Sequence, residues 1–116
     1  MKIGHIELFV RNPLAAKEFY VGILGFELVD EQRGTFIWVA SGGLSILLRP
    51  SAQREAVGAY GEAASGLVLY TEDLDRTAAQ VRARGLAFRG TDGSPRCLTF
   101  TDPDGHWFQL VNPGDH

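Results

Sequence analysis

The order of predicted elements repeats along this chain of 116 residues, and this repeat constrains the fold more than any other feature. Each half begins with a strand of alternating apolar residues, continues into a helix that a glycine ends, and finishes with three short strands separated by turns. The helix-ending glycines, Gly25 and Gly85, are 60 positions apart, and Leu47 and Gln109 in the last strands are 62 apart. We therefore expect two tandem βαβββ modules with mixed sheets, which is an α+β fold.

Turn residues and hydrophobic periodicity set the bounds of the predicted elements. The strands cover residues 3–10, 26–31, 35–40 and 44–49 in the first half, and 66–72, 86–89, 96–101 and 106–111 in the second. The helices begin after the capping residues Asn12 and Asp73 or Asp75. An Ala-, Gly- and Ser-rich stretch between the halves has no strand pattern and has room for a short helical turn. The predicted organisation is module one at about 1–50, a linker at about 51–64 and module two at about 65–116.

Composition and charge exclude several classes of protein. The net charge is −3 without a long basic stretch, so nucleic acid is not an expected partner. No apolar run is long enough to span a bilayer, and the first residues lack the pattern of a signal peptide. Cys97 is the only cysteine, which excludes an intrachain disulfide and favours a reducing compartment. We predict a cytoplasmic protein without membrane or nucleic-acid partners.

Three stretches of the sequence form a recognisable set. The first joins a strand that opens with His5 to a helix with Phe-Tyr at 19–20 and Leu-Gly-Phe at 24–26. The second is the helix entry at 72–75, and the third is the Phe-Thr-Asp-Pro-Asp-Gly turn at 100–105. Together they resemble the vicinal oxygen chelate family, which contains glyoxalase I, bleomycin-resistance proteins and extradiol dioxygenases. The resemblance implies that the sheets curl into a cup, that the family's enzymes hold one divalent metal there, and that the protein is a homodimer.

The resemblance also identifies four positions that would hold the metal, in the first and last strands of each module. In this chain these positions are His5, Leu47, Leu67 and Gln109. A catalytic divalent ion generally needs three His or carboxylate ligands, whereas leucine has no lone pair and a glutamine amide is neutral. We therefore expect no bound metal and no other cofactor, and these four positions are interpreted as vestiges of a metal site.

Strand alternation predicts the lining of the cup. The inward side chains expected to bind a ligand are His5, Glu7, Phe9, Trp38, Leu47, Arg49, Leu67, Thr99, Trp107 and Gln109. Leu69 should share their orientation, whereas Val68 should pack under a helix. An aromatic and apolar lining with few polar groups suits an apolar or aromatic small molecule, with Trp38 and Trp107 as stacking residues. The alternative is that both tryptophans fill the cup or a dimer interface of the protein itself.

Some of these residues also have purely structural interpretations. Without a metal, His5 is a hydrogen-bonded strand histidine. Glu7 and Arg49 pair either with charged groups of a ligand or with each other at the rim. His106 is expected to point to solvent, and the aspartates of the same turn, Asp102 among them, are expected to stabilise that turn.

Three functions remain open at this stage. The favoured one is metal-independent binding of a small molecule, as in antibiotic sequestration or ligand transport. The second is a metal-dependent lyase, isomerase or dioxygenase, which requires further ligands such as Glu7 or Glu72 beside His5 and Gln109. The third is acid–base catalysis without a metal by Glu7 and His5, which share one strand face. The sequence does not identify the ligand, since a fold alone does not set its function.

Overall fold

The computed structural model describes residues 1–52 and 56–115. The chain divides into two compact units, Met1–Arg54 and Glu55–His116. Each unit contains one mixed β-sheet together with helical segments, so the α+β fold expected from the repeat is confirmed. No helix in the described part of the chain is long and apolar enough to cross a membrane.

The first unit contains a four-stranded sheet and one long helical segment. The segment consists of α1 (Pro13–Lys17), which continues as a π-helix at Glu18–Ile23. The strands are β1 (Ile6–Val10), β2 (Glu27–Gln32), β3 (Phe36–Ser41) and β4 (Leu44–Pro50). Their order in the sheet is β1-β4-β3-β2, with β1 parallel to β4 and the other pairs antiparallel.

The local sequence explains where the first helix begins and ends. Asn12 has an extended backbone, and its side-chain oxygen accepts hydrogen bonds from the amides of Leu14 (3.1 Å) and Ala15 (3.3 Å). Pro13 takes the first helical position, where an N–H would have no helical acceptor. Gly25 follows the segment with φ 76°, a conformation that favours glycine. The sequence predicted one α-helix, whereas its second half is π-helical, and no residue pattern indicated this change.

Strand register sorts the side chains of the first sheet onto two faces. The buried face carries residues such as Ile37 and Leu48, both of which are fully buried. On the opposite face, Glu7 of β1 pairs with Leu47 of β4, and Leu47 pairs with Trp38 of β3, so these three residues form a row. We call this surface, with its neighbours, the first face; it consists of His5, Glu7, Phe9, Phe36, Trp38, Leu47 and Arg49.

The second unit contains a three-stranded sheet and one longer helix. The strands are β5 (Leu67–Tyr70), β6 (Leu98–Thr101) and β7 (Trp107–Val111), and the helix is α2 (Leu74–Ala83). The sheet order is β5-β7-β6, with β5 parallel to β7 and β6 antiparallel to it. Asp73 caps α2, because its side chain accepts a hydrogen bond from the Arg76 amide at 3.1 Å.

The strand predicted at residues 86–89 does not form. The backbone there makes two hydrogen bonds with β6, from the Arg89 amide to the Thr99 carbonyl and from the Thr99 amide to the Gly90 carbonyl. A single bridge between Thr91 and Leu98 follows. Gly90 has φ 88°, which is outside the extended region and interrupts a continuous ladder.

The register of the second sheet contradicts another prediction. Leu67 pairs with Phe108, which is fully buried, so Leu67 lies on the buried face and Leu69 shares its orientation. Val68 pairs with Gln109 and is 47% exposed. The prediction that Leu67 and Leu69 line the cup is therefore wrong, and so is the prediction that Val68 packs under a helix. Both errors come from a phase of the strand that is shifted by one residue. Apolar residues occupy both faces of this strand, so hydrophobicity does not reveal its phase.

The segment between the modules is partly described. The predicted linker covers 51–64, and residues 53–55 lie outside the described residues. The remainder contains a short 3₁₀-helix at Tyr60–Glu62, which agrees with the helical turn for which the sequence left room. This segment contributes to the second unit, as described below.

The turn before β7 is organised by a buried carboxylate. Asp102 is 3% exposed, and its Oδ1 accepts hydrogen bonds from the amides of Asp104 (3.0 Å) and His106 (2.8 Å). Its Oδ2 lies 2.7 Å from Nδ1 of His106. The predicted role of Asp102 in the turn is confirmed. The expectation that His106 points to solvent is wrong, because its imidazole is bonded to this carboxylate.

Candidate functional site

A connected set of polar contacts crosses the first face. Nε2 of His5 lies 2.8 Å from Oε2 of Glu7, and Nη1 of Arg49 donates to Oε1 of Glu7 at 2.9 Å. The His5 ring also packs edge-on against the Trp38 indole, with 4.8 Å between ring centroids. Glu7 and Arg49 therefore pair with each other, which is one of the two arrangements that the sequence left open.

The electrostatics of this set keep Glu7 ionised. The hydrogen bond with His5, and secondarily the one with Arg49, lower the pKa of Glu7, and they outweigh the opposite effect of burial. A carboxylate stabilised in this way is a weak base. Since both of its oxygens already have partners, Glu7 is also poorly suited to bind an additional cation.

Aromatic rings flank the cation on the same face. The guanidinium carbon of Arg49 lies 5.4 Å from the ring centroid of Phe9 and 5.9 Å from that of Phe36. Phe9 is 40% exposed and Phe36 is 36% exposed. Leu47 is buried; it lies on β4, the strand between β1 and β3. The Nε atom of Arg49 is buried and has no hydrogen-bond partner within the described residues. This arrangement offers exposed ring surface around a positive charge to a flat apolar molecule.

The second unit presents an analogous surface, which we call the second face; it consists of Val68, Thr99, Thr101, Trp107 and Gln109. Its polar side chains are bonded to the loop that precedes β6. Gln109 donates through Nε2 to Oδ2 of Asp92 at 2.9 Å, and Thr99 donates to the Arg89 carbonyl at 2.8 Å. Nη1 of Arg89 donates to Oγ1 of Thr101 at 3.1 Å. These groups are thus satisfied by the protein itself.

Trp107 is enclosed by its own chain. It is 2% exposed, and its Nε1 donates a hydrogen bond to the Val57 carbonyl at 3.1 Å. The guanidinium carbon of Arg89 lies 4.9 Å from its ring, and the ring of Tyr60 packs against it with 6.3 Å between centroids and an interplanar angle of 81°. Trp38 is half-buried and remains accessible. Trp107 instead fills its own unit, which is the alternative interpretation of the two tryptophans.

Helix capping identifies which residue of the second unit corresponds to His5. Asn12 and Asp73 are the N-caps of the two helices, and His5 lies seven positions before the first cap. The residue seven positions before Asp73 is Gly66, not Leu67. The four positions implied by the family resemblance are thus corrected to His5, Leu47, Gly66 and Gln109.

These residues do not fit a catalytic divalent site. Among residues 1–52 and 56–115, no group of three or more His, Cys, Asp or Glu side chains lies close enough together to hold a metal ion. In the first unit, His5 and Glu7 lie beside the apolar Leu47, and in the second, Gly66 has no side chain and Gln109 is bonded to Asp92. Leucine and glycine side chains supply no lone pair, so each sheet by itself offers too few ligands.

Sequence reasoning missed three residues that shape the second face. Arg89 and Asp92 belong to irregular segments, and Tyr60 belongs to the linker. Periodicity carries no information about the direction of loop side chains, so no pattern pointed to them. The only available signal was a tyrosine within a stretch otherwise rich in alanine and glycine, where an aromatic residue tends to need a packing partner.

Comparisons with known proteins agree with this architecture. A model of the Glyoxalase/Bleomycin resistance protein/Dioxygenase superfamily matches residues 2–110. Catechol-2,3-dioxygenase of Bacillus subtilis (strain 168) is 37% identical over an alignment of 103 residues, which covers 81% of this chain and 36% of that protein. The chain thus spans about a third of the length of this curated relative.

Solved structures give the same result. TnmS3, an antibiotic binding protein from Streptomyces sp. CB03234, is 31% identical, with a TM-score of 0.65 over 97% of this chain and 98% of that one. The fosfomycin resistance protein FosX from Mesorhizobium loti shares the fold at 18% identity, with a TM-score of 0.74 over 95% of this chain and 90% of that one. From the family model and these likenesses, the chain belongs to the Glyoxalase/Bleomycin resistance protein/Dioxygenase superfamily.

Proposed function

We propose that this chain binds an apolar or aromatic small molecule on the first face without a bound metal, as an antibiotic-sequestering protein or a ligand carrier. One observation supports this above the others: exposed aromatic rings flank Arg49 on a surface with a buried leucine, Leu47, at a position that the family resemblance assigns to a metal ligand. An apolar floor with ring walls favours organic rings over a hydrated cation. The 31% identity to a protein described as antibiotic binding supports the same class of ligand.

The contacts of Arg49 also indicate which chemical group the ligand carries. Arg49 bonds Glu7 through Nη1, and a second acceptor near its guanidinium would add a charge-assisted hydrogen bond. A flat molecule with one anionic or strongly accepting group therefore suits this surface. The ring system would lie against Phe9 and Phe36, with the edge of Trp38 beside it.

Fluorine NMR on protein labelled with 5-fluorotryptophan tests this proposal, because the two tryptophans give separate resonances that Trp38→Phe assigns. Bleomycin, mitomycin and polycyclic aromatic compounds form the panel. We expect at least one compound to shift the Trp38 resonance saturably in metal-free protein, and Phe36→Ala to weaken its binding. Leu14→Ala is the matched control, since Leu14 is a similarly exposed apolar residue (47%) on α1 and belongs to neither face. A Trp38 resonance that no compound moves contradicts the proposal.

The proposal includes a homodimer in the cytoplasm. β2 is an edge strand of the first sheet, and Leu28 and Val29 on it are 41% and 57% exposed. An unpaired strand edge with exposed apolar side chains is a surface that a second copy can cover. Light scattering over a range of concentrations should give twice the mass of the chain, and Val29→Lys should reduce it to the mass of one chain. A wild-type protein that stays monomeric throughout contradicts this part.

A metal-dependent lyase, isomerase or dioxygenase is the second candidate. It is favoured by the 37% identity to a protein named catechol-2,3-dioxygenase, of which this chain spans about a third. Metal analysis of protein from cells supplied with iron, manganese, nickel and zinc distinguishes the two. Stoichiometric metal together with ring cleavage of catechol would establish the second candidate and overturn the first.

Acid–base catalysis by Glu7 and His5 is the third candidate, favoured by their 2.8 Å contact. The bonds that lower the pKa of Glu7 also lower its strength as a base near neutral pH. Any turnover found in the compound panel should be compared between wild type and Glu7→Gln. Loss of turnover with unchanged binding would support this candidate.

A further inference from the structure

We infer that Tyr60 acts as an internal ligand of the second face, and that a planar aromatic compound binds there by displacing it. This inference concerns a second site, and it shares with the proposed function only the class of ligand. It accounts for three features of the second unit that the first face does not explain: a buried tryptophan, a glycine at a position otherwise suited to a side chain, and a bonded loop.

The contacts around Trp107 resemble those that a tryptophan in a binding site makes with an aromatic ligand. Its ring has the guanidinium of Arg89 at 4.9 Å and the edge-on ring of Tyr60 at 6.3 Å. Its N–H donates to a backbone carbonyl of the linker, that of Val57, rather than to a neighbouring strand. An indole can pack against another ring, take a cation over its face and donate its N–H to an acceptor, and Trp107 makes all three interactions with its own chain.

Gly66 makes the room in which Tyr60 lies. A Cβ built on Gly66 would lie 2.7 Å from Cζ and 2.8 Å from Cε2 of Tyr60, closer than real Cβ atoms approach other atoms. Gly66 alternates with Leu67, so this direction is that of the second face, where Val68 and Gln109 lie. The tyrosine ring therefore occupies the place of the side chain that corresponds to His5 in the first unit.

The hydroxyl of Tyr60 is near the polar end of the face. Burial, and secondarily the negative charge of Asp92, raise the pKa of Tyr60. Asp92 in turn accepts a hydrogen bond from Gln109. A phenol, or another planar ring with one hydrogen-bond donor, can reproduce the position of Tyr60 between Trp107 and these polar groups.

The segment that carries Tyr60 is suited to exchange with such a compound. It is a single 3₁₀ turn, Tyr60–Glu62, without buried residues of its own. Short turns with few buried contacts open at a lower free energy than core elements. Binding of an external ring must then overcome the contacts of Tyr60, so removal of this ring should increase the affinity.

Titration with 1-anilinonaphthalene-8-sulfonate, an aromatic dye that fluoresces in apolar sites, tests the inference on 5-fluorotryptophan protein. We expect Tyr60→Ala to bind the dye at least about tenfold more tightly than wild type, with a shift of the Trp107 resonance. Gly66→Ala should have the same effect, because its methyl group excludes the Tyr60 ring. In wild type, saturating dye should move the Trp107 resonance in the same direction as Tyr60→Ala does.

The controls separate displacement from unfolding. Tyr60→Phe keeps the ring and should bind the dye less tightly than Tyr60→Ala does. Tyr70→Ala removes a tyrosine of the same sheet that is 75% exposed, and it should leave the affinity unchanged. Near-ultraviolet circular dichroism checks that each variant is folded. If Tyr60→Ala does not fold, Gly66→Ala and the wild-type titration test the displacement of Tyr60.

Two results would overturn the inference: dye affinities of Tyr60→Ala and Gly66→Ala within twofold of wild type, or a dye response confined to Trp38. The proposed function has a different readout. If no compound shifts the Trp38 resonance but the dye shifts the Trp107 resonance in Tyr60→Ala and Gly66→Ala, the first face is not the binding site and the inference stands. If Trp38 responds and Trp107 does not, the proposed function stands alone.

Discussion

The two faces share a framework and differ in what covers them. In the first unit, a parallel β1–β4 pair presents Glu7 beside Leu47, and the aromatic rings around Arg49 are open to solvent. In the second, a parallel β5–β7 pair presents Val68 beside Gln109, and the chain itself covers Trp107. Equivalent strands therefore specify where a side chain lies, whereas the residue type and the nearby loops determine whether the surface is available to a ligand.

The two units also differ in the exposure of a carboxylate, which is buried in the second unit and partly exposed in the first. Asp102 in the second unit is buried and satisfies two backbone amides and an imidazole. Glu7 in the first is about one-third exposed and bonds only side chains. A buried acceptor has no water to replace it, so its removal should cost far more than removal of an exposed one.

The largest expected effect is therefore on Asp102. Asp102→Ala leaves two backbone N–H groups without their acceptor and should lower the free energy of unfolding by about 3 kcal/mol, measured by urea denaturation. Asp102→Asn keeps one acceptor oxygen and should cost less. Glu7→Gln should have the smallest effect of the three, and an equal loss for Glu7→Gln and Asp102→Ala would remove the distinction between the units.

The next effect concerns the two tryptophans. Trp38→Ala should weaken binding of any compound found on the first face by about tenfold, about 1.4 kcal/mol, through loss of ring contact. Trp107→Phe should change that affinity by less than about twofold, because Trp107 lies on the second face and is covered. Calorimetric titration of both variants with the same compound measures this difference, and equal losses would show that the faces do not act separately.

The smallest effect is a difference in pH dependence. The pKa of Glu7 is lowered by its bonds, so its contribution to stability is present above the ordinary carboxyl pKa and is lost as the pH falls through the lowered value. The pKa of Tyr60 is raised, so its contribution is present below the ordinary phenol pKa and is lost as the pH rises through the raised value. Glu7→Gln should flatten the acid limb of a stability profile, and Tyr60→Phe the alkaline limb.

NMR titration of the individual groups makes this comparison direct. Arg49→Met should raise the pKa of Glu7 towards its ordinary value, although the bond with His5 still holds it down. Asp92→Asn should lower the pKa of Tyr60, although burial still raises it. A Glu7 that titrates normally in wild type would show that the contacts across the first face do not persist in solution.

Particular elements show how far the sequence leads. The strands of the first unit, the cap at Asn12 and the helix end at Gly25 follow from residue patterns, because each depends on local geometry. For the second helix the pattern left Asp73 and Asp75 as alternatives, and the structure shows that Asp73 is the cap. The strand at 86–89 was predicted and does not form, because Gly90 with φ 88° interrupts the ladder with β6 after two backbone hydrogen bonds. The phase of β5 was wrong by one residue, because apolar side chains occupy both of its faces.

The candidate site divides along the same line. Alternation along β1 and β3 was enough to bring Glu7 and Trp38 onto one face, and the pairing with Arg49 was among the expected arrangements. The presence of an aromatic surface on the first face could thus be predicted from the first half of the chain. The closure of the second half was not readable, because it depends on the direction of Tyr60 and Arg89 in irregular segments.

The sequence by itself determined the repeated α+β architecture, the cap at Asn12 and the apolar character of the first face at Leu47, since these depend on residue type and on neighbours within a few positions. Only the tertiary structure decided that Leu67 shares the face of the buried Phe108, that Gly66 corresponds to His5, and that Tyr60 lies against Trp107. The physical reason is that strand register and loop packing join residues far apart along the chain, and local patterns carry no information about such pairings.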